Sequence, residues 1–310
     1  MTLPARTRVY QSAVSDSTRW DRFRPRAGDI IVCTPVKSGT TWTQMCSALL
    51  VHQSTTFPQP LVRLSRWLER LRDPIDEVIA AYEAQPHRRI VKTHTPFDGL
   101  PYWPEVSYVF CGRDPRDVFL SGIDHMNNAS DETVEDMMRR LGVTERMQLP
   151  DDPNVYFPIW LTTGAMDGLD DGFPMGSVMG LTKTYWAHRD APNLFFLHYA
   201  DLSADLDGEM RRLARFLGVR VDERLWPELV RAASFEAMRE RADELAPGAH
   251  FGEWRSNTEF FRSARRGAWR DVLSAESLAQ YEQVATERLG PRLKAWLEGG
   301  RALGGDPKEG

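Results

Sequence analysis

Short apolar runs bounded by turn-forming residues predict four buried strands along the chain. The runs are GDIIVCTP, RRIVK, VSYVFCG and NLFFLHY, and they begin at residues 28, 88, 106 and 193. Apolar runs of this length, bounded by glycine, proline or asparagine, are typical of strands that are covered on both faces.

Three of these runs lead into stretches with helical character. TTWTQMCSALLVHQ starts at Thr40, and RDPRDVFLSGIDHM carries Pro115 in its first turn. SADLDGEMRRLARFLGV has one apolar face and ends at Gly218. Strands alternating with helices predict an α/β fold, in which helices flank a central, mostly parallel sheet.

The same pattern suggests how the chain is divided. Residues 28–297 are predicted to form one domain, with a flexible lead-in at 1–27 and a disordered tail at 298–310. Two longer segments separate the strand–helix units. Segment 54–88 contains the amphipathic portions WLERL and IDEVIAAY. Segment 127–180 is rich in Asp, Gly, Pro and aromatic residues, which is typical of a binding lid or an insertion.

Composition narrows the class of protein. A formal net charge of −5 over 310 residues argues against a nucleic-acid-binding protein that relies on bulk positive charge. Three scattered cysteines are too few for a disulfide framework or a zinc site. The sequence contains neither a membrane-spanning apolar run nor an apolar secretion signal. We therefore expect a cytoplasmic protein without a nucleic-acid partner.

The most informative local feature is the strand–loop–helix sequence CTPVKSGTTWTQ. Amides at the start of a helix that follows a strand favour an anion, and Gly39 allows the backbone to approach it. Thr40 and Thr41 add hydroxyl donors, and Lys37 adds a charge. The loop differs from that of nucleoside triphosphatases, because its lysine precedes the glycine and no second glycine lies upstream.

With this loop, the chain resembles the cytosolic sulfotransferase family, and the resemblance covers most of its length. The family's 5′-phosphosulfate loop is matched by PVKSGTTW, and its next motif is matched by KTHTP, residues 92–96. The remaining motifs are matched by Arg113 and Ser121, by Tyr199, by Ser234, Phe235 and Met238, and more loosely by residues 262–270.

The resemblance implies transfer of a sulfuryl group from 3′-phosphoadenosine-5′-phosphosulfate (PAPS) to a hydroxyl, leaving 3′,5′-adenosine diphosphate (PAP). We expect an in-line displacement without a metal, in which positioning and charge stabilisation dominate. His94 is the candidate general base, and Lys37 and Lys92 would stabilise the transition state. His125 is the rival base, because it lies one helical turn beyond Ser121.

The resemblance also implies which residues bind the nucleotide. They are Lys37, Ser38, Gly39, Thr40, Thr41, Trp42, Arg113, Ser121, Tyr199, Ser234, Phe235, Met238, Phe261, Arg262 and Ser263. Arg113, Ser121 and Arg262 would hold the 3′-phosphate. Trp42 and Phe235 would stack on the adenine, with Tyr199 nearby.

Some family positions differ in this chain. Ser263 and Ala264 replace a Lys-Gly pair, which puts one 3′-phosphate contact in doubt. Ala268 replaces an acidic residue, and Ala233 stands where the family often has threonine. The family's dimer segment is not recognisable after Trp269, so the oligomeric state stays open.

The acceptor is predicted to be a partly apolar small molecule or glycolipid that carries a hydroxyl. Segments 54–88 and 127–180 would form its pocket, although some of their aromatic residues are expected to be core. These residues are Trp67, Tyr156, Phe157, Trp160 and Phe173. Two alternatives are a metal-dependent nucleotide kinase and a protein that binds PAPS or PAP without turnover.

Overall fold

The computed structural model describes residues 6–145, 150–262 and 265–309, and a four-stranded sheet forms its centre. The strands are β1 (Ile30–Cys33), β2 (Ile90–Thr93), β3 (Ser107–Gly112) and β4 (Leu194–His198). Their order is β2-β1-β3-β4, and every neighbouring pair is parallel. The predicted α/β fold with a parallel central sheet is confirmed.

Helices cover both faces of the sheet. In chain order they are α1 (Thr40–His52), α2 (Leu61–Leu64), α3 (Ile75–Glu83), α4 (Pro115–Asn128), α5 (Asp131–Leu141), α6 (Pro153–Thr162), α7 (Met179–Trp186), α8 (Tyr199–Ala204), α9 (Leu206–Leu217), α10 (Trp226–Ala232), α11 (Phe235–Glu240), α12 (Ala242–Leu245), α13 (Asn257–Phe260), α14 (Ala275–Leu289), α15 (Pro291–Gly299) and α16 (Arg301–Gly304). Short 3-10 helices span Ser17–Arg22, Phe97–Gly99, Ala249–Phe251 and Ala268–Asp271. In the described part of the chain, no helix has the length and apolar character needed to cross a membrane.

Alternate strand residues supply two separate apolar layers. Ile31 and Cys33 of β1 join a cluster with Phe110 and Trp296, whereas Ile30 and Val32 pack in a second cluster. Successive side chains of a strand point to opposite faces. A wholly apolar run therefore fits a sheet that has helices packed on both faces. The parallel arrangement places the carboxyl ends of β1, β2 and β3 along one edge, where the predicted loops begin.

The described parts of both chain ends, residues 6–27 and 298–309, are packed rather than flexible or disordered, whereas residues 1–5 and 310 lie outside the described residues. Within the lead-in, Trp20 and Phe23 are buried in the core, and the Trp20 indole N–H donates to Glu69 at 2.7 Å. The tail is also packed, since Asp306 pairs with Arg212 at 2.9 Å and its carbonyl accepts from Arg292 at 2.8 Å. The sequence does not indicate these contacts, because Trp20, Phe23 and Asp306 are single residues among mostly polar neighbours.

The two longer segments both contain regular structure. Residues 127–180 contain α5, α6 and the start of α7 rather than one continuous loop. In segment 54–88, IDEVIAAY forms α3, but WLERL does not form a helix. Its backbone lies along the outer edge of β2, where Lys92 donates its N–H to the Arg66 carbonyl at 3.1 Å. This pairing carries Trp67 and Glu69 to the end of β2.

Candidate active site

The loop between β1 and α1 has the geometry of an anion cradle. Gly39 has a φ of 96°, and a Cβ there would lie 3.2 Å from the Tyr199 ring. Glycine is therefore required by both the backbone and the close approach. No side chain caps α1, so the amides of its first turn are free to face an anion.

Two buried polar atoms beside this loop have no hydrogen-bond partner among the residues that the structure describes. They are the Ser38 Oγ and the Arg113 Nε. Buried polar atoms are rarely left unpaired in folded proteins. Both can donate a hydrogen bond, and the phosphate oxygens of a nucleotide bound here would be suitable acceptors.

Lys37 adopts a left-handed conformation, with a φ of 65°. Its ammonium lies 3.4 Å from His125 Nδ1 and 4.3 Å from the centre of the Phe260 ring. Its carbonyl accepts from an Arg113 Nη1 at 3.0 Å. Burial, with a further contribution from the Arg113 charge, lowers the Lys37 pKa to about 7. A strained backbone thus holds an ammonium in a poorly solvated place, where added negative charge would stabilise it.

His94 follows the end of β2, and its orientation is fixed. Its Nδ1 lies 2.7 Å from the Thr34 carbonyl oxygen, and its ring packs edge-on against Trp67 at 5.0 Å. A carbonyl only accepts, so Nδ1 carries the proton and Nε2 keeps a lone pair. Burial, and secondarily Lys92, lowers the pKa of His94 to about 3, so the imidazole is neutral at pH 7.

Lys92 is the second predicted catalytic lysine, and its ammonium lies 5.2 Å from the centre of the Trp67 ring. Burial, then the neighbouring Arg70 charge, lowers its pKa to about 8. Lys92 lies two residues before His94, and His94 Nδ1 binds the Thr34 carbonyl of the loop that carries Lys37. The structure therefore gathers the three predicted catalytic residues at one edge of the sheet.

His125 has a different environment from His94. The centre of its ring lies 4.5 Å from that of Trp254 and 5.8 Å from that of Phe260. When Lys37 is charged it can only donate, so His125 Nδ1 then accepts from it and the proton lies on Nε2. This tautomer leaves His125 without a lone pair for an acceptor hydroxyl, whereas His94 Nε2 retains one.

Glu69 supports the turn that carries His94, and the sequence analysis missed it. The Thr93 and Thr95 hydroxyls both donate to Glu69 Oε1, the latter at 2.7 Å. The carboxyl is buried, and burial raises its pKa. Threonines on both sides of His94 were the available signal, but only the folded chain shows that one carboxyl binds both.

The predicted 3′-phosphate residues lie around one cleft of about 70 Å³. Its wall contains Lys37, Arg113, Ser121, Asp124, His125, Arg262 and Arg265, among others. The Arg113 guanidinium lies 4.1 Å from the centre of the Tyr199 ring, and Arg262 forms an ion pair with Asp124. This volume is smaller than the roughly 300 Å³ or more that ligand sites usually measure. The predicted contact at Ser263 lies outside the described residues.

The predicted adenine-binding residues lie near the contact between α1 and the start of α11. The Trp42 indole donates to the Ala233 carbonyl at 2.8 Å, which ties α1 to the segment that begins α11. Ser234 caps α11, and Phe235 beside it is partly exposed. Met238 and Phe261 are buried in the same apolar cluster as Trp42. Stacking of adenine between Trp42 and Phe235 stays a prediction.

Only part of the predicted acceptor pocket lies near His94. Trp67 contacts the histidine, but Tyr156, Phe157 and Trp160 are core residues packed around Phe119. They are buried because α6 presents this face to α4. Phe173, partly exposed, donates its backbone N–H to the Thr163 carbonyl at 3.0 Å.

Two aromatic residues that the sequence analysis did not select lie beside His125. The ring centres of Trp254 and Phe260 lie 5.4 Å apart, and both rings pack against His125. Phe260 adjoins the predicted Phe261 and Arg262, which was a signal that could have found it.

A longer cavity of about 390 Å³ lies away from this chemistry. Its lining includes Phe195, Phe216 and Arg212, at the edge of the sheet formed by β4. None of the predicted site residues contributes to it. Size alone therefore does not identify the active site here.

Comparisons with known proteins agree on one family. A family model described as a sulfotransferase domain matches residues 27–291. A glycolipid sulfotransferase of Mycobacterium tuberculosis is 38% identical, over 96% of this chain and 96% of that protein. Human sulfotransferase 1C2 is 22% identical over 91% of this chain and 90% of its own length.

Solved structures show the same fold. A retinol dehydratase in complex with retinol and PAP aligns with a TM-score of 0.68 and 21% identity, over 89% of this chain and 87% of that one. Mouse sulfotransferase SULT7A1 complexed with PAP aligns with a TM-score of 0.66 and 18% identity, over 89% of each chain. The order and direction of strands described above therefore belong to a known architecture.

Proposed function

The chain belongs to the sulfotransferase family and is a PAPS-dependent sulfotransferase, and we propose that it sulfates a hydroxyl on the sugar of a glycolipid. The observation that carries this proposal is the fixed tautomer of His94. Its Nε2 keeps a lone pair, Lys92 is close enough to lower the His94 pKa, and the pKa values of Lys92 and Lys37 are themselves lowered. A base and two charge-stabilising groups are what attack by an alcohol on a sulfuryl group requires.

The donor side fits PAPS by its unpaired donors and its charges. Ser38 Oγ and the amides of α1 would hold the 5′-phosphosulfate, and Arg113, Ser121 and Arg262 would hold the 3′-phosphate. When bound there, PAPS supplies the sulfuryl group and carries PAP as the leaving group.

The protein's own residues would then divide the work of transfer. His94 Nε2 takes the proton of the acceptor hydroxyl as the oxygen attacks, while the Thr34 carbonyl stabilises the imidazolium through Nδ1. Lys37 balances charge on the departing oxygen, and Lys92 assists from β2. Since Lys37 and Lys92 are poorly solvated, their charges act with little screening.

The acceptor class is supported by apolar residues that we propose line a path outward from His125. Trp254 packs on the histidine, and Phe251, three residues earlier, is 60% exposed. Leu71, also exposed, adjoins Arg72, whose guanidinium lies 5.8 Å from the centre of the Phe251 ring. An acceptor with a sugar at the histidines and an acyl chain over Phe251 would use both parts. The mycobacterial relative named as a glycolipid sulfotransferase supports the same class.

This proposal predicts that the acyl chain contributes to recognition. Transfer of radiolabelled sulfate from PAPS should be compared for a glycolipid, its deacylated sugar headgroup and a simple phenol. We expect kcat/KM to be at least about tenfold higher for the glycolipid, because burying a few methylene groups contributes about 0.8 kcal/mol each.

A matched pair of variants tests the path itself. Phe251→Ser should lower kcat/KM for the glycolipid and leave the headgroup unaffected. Leu303→Ser removes another exposed apolar side chain, on α16, and should change neither. Equal kcat/KM values for glycolipid and headgroup would refute a lipid-bearing acceptor, without bearing on sulfuryl transfer.

A further inference from the structure

The 3′-phosphate cleft contains a carboxylate that is out of place in a site for an anion. Asp124 lies on α4 one turn after Ser121, so the two side chains share a face of the helix. Both line the cleft together with Lys37 and Arg113. The sequence analysis assigned a role to each of these residues except Asp124.

Asp124 is bound to one of the arginines assigned to the nucleotide. Its Oδ1 accepts from an Arg262 Nη1, and a second carboxylate, that of Glu259, lies 4.0 Å from the Arg262 Nε. Burial raises the pKa of the Asp124 carboxyl, although the Arg262 and Lys37 charges oppose this rise. The carboxylate is thus retained in a half-buried place where ionisation is disfavoured.

We propose that Asp124 competes with the 3′-phosphate for Arg262 and thereby weakens and tunes nucleotide binding. Binding exchanges the carboxylate partner of Arg262 for a phosphate with more charge and more acceptor oxygens. Arg262 is 59% exposed, so its side chain has room to make this exchange. The inference rests on the proposed assignment of Arg262 to the 3′-phosphate.

The competition has a consequence that depends on the ligand. A nucleotide without a 3′-phosphate leaves Arg262 on Asp124, so loss of the carboxylate changes its affinity little. A nucleotide with this phosphate breaks the ion pair and places two anions near each other. Removing Asp124 should therefore tighten binding of PAP alone and increase the discrimination against 5′-AMP.

Isothermal titration calorimetry of PAP and 5′-AMP with the full chain tests this. Asp124→Asn keeps the shape of the side chain, and we expect the Kd for PAP to fall about fivefold to thirtyfold, from loss of an exposed ion pair and of a like-charge repulsion. The Kd for 5′-AMP should change by less than about twofold. Glu259→Gln removes a more distant carboxylate beside the same arginine and should have a clearly smaller effect.

A double-variant cycle separates competition from a general effect of charge. In an Arg262→Ala background, Asp124→Asn should lose most of its effect on PAP, because the shared partner is absent. An unchanged PAP affinity in Asp124→Asn, or equal gains for PAP and 5′-AMP, would overturn the inference. If the unaltered protein binds PAP no more tightly than 5′-AMP, the 3′-phosphate assignment fails and the inference fails with it.

Discussion

Replacing His94 with asparagine is expected to lower kcat by about 10²–10⁴-fold, the usual contribution of a general base. Asparagine can still donate to the Thr34 carbonyl through its amide, so the turn after β2 keeps its main contact. It has no basic nitrogen to take the proton of the acceptor hydroxyl. The Kd for PAP should stay within about twofold, since the proposed nucleotide contacts come from other residues.

The matched control for this prediction is His125→Asn. His125 packs on Trp254 and accepts from Lys37, so its loss should disturb binding of the acceptor and raise KM more than it lowers kcat. Single-turnover rates with preloaded PAPS, measured beside equilibrium titrations with PAP, separate chemistry from binding. A large fall in the single-turnover rate for His125→Asn, with little change for His94→Asn, would reverse the assignment of the base.

Replacing Lys37 with methionine should lower kcat/KM by about 10²–10³-fold, comparable to the loss of one donor that stabilises a developing anion. Methionine retains much of the apolar packing against Phe260, but it has no positive charge to stabilise the negative charge on the leaving oxygen. The single-turnover rate should fall with it, and thermal unfolding should show that the protein remains folded. An unchanged single-turnover rate would remove Lys37 from the transition state.

The pH dependence gives the same residue a second signature. Burial lowers the Lys37 pKa to about 7, so the charged form is lost as pH rises through 7. The pH dependence of kcat/KM reports the pKa values of groups in the free enzyme. We therefore expect kcat/KM for PAPS to be constant below about pH 6 and to decline above pH 7. Lys37→Arg should move the decline upward, toward the range where Lys92 titrates at about 8. An unchanged decline in Lys37→Arg would assign it to another group.

The sheet was predictable because each strand contains a short run of apolar residues. A strand such as β1 is buried on both faces, so its sequence alone distinguishes it from the surface. The chain ends were mispredicted for the opposite reason. Trp20 is one apolar residue among polar neighbours, and its burial depends on the distant Glu69. The amphipathic pattern of WLERL gave no sign that this part of the chain pairs with β2.

The candidate site was predictable where a motif is continuous along the chain. The loop around Lys37 and the turn around His94 are each continuous in the chain, so the resemblance could select both as candidates. Asp124 and Trp254 could not be selected in this way. Their roles arise only when Arg262 after α13 and Trp254 before it meet α4 in the folded chain. Tertiary contacts of this kind leave no periodic or spaced signal in the sequence.

The most direct test of the central claim is thermal unfolding in EDTA with PAP, 5′-AMP or ATP. At 100 times its dissociation constant, a ligand should stabilise the protein by about 2.7 kcal/mol, which raises the unfolding temperature by several degrees. We predict a large rise with PAP at concentrations where 5′-AMP and ATP give little or none. A rise with ATP alone, and only after Mg²⁺ is restored, would contradict a PAPS-dependent site.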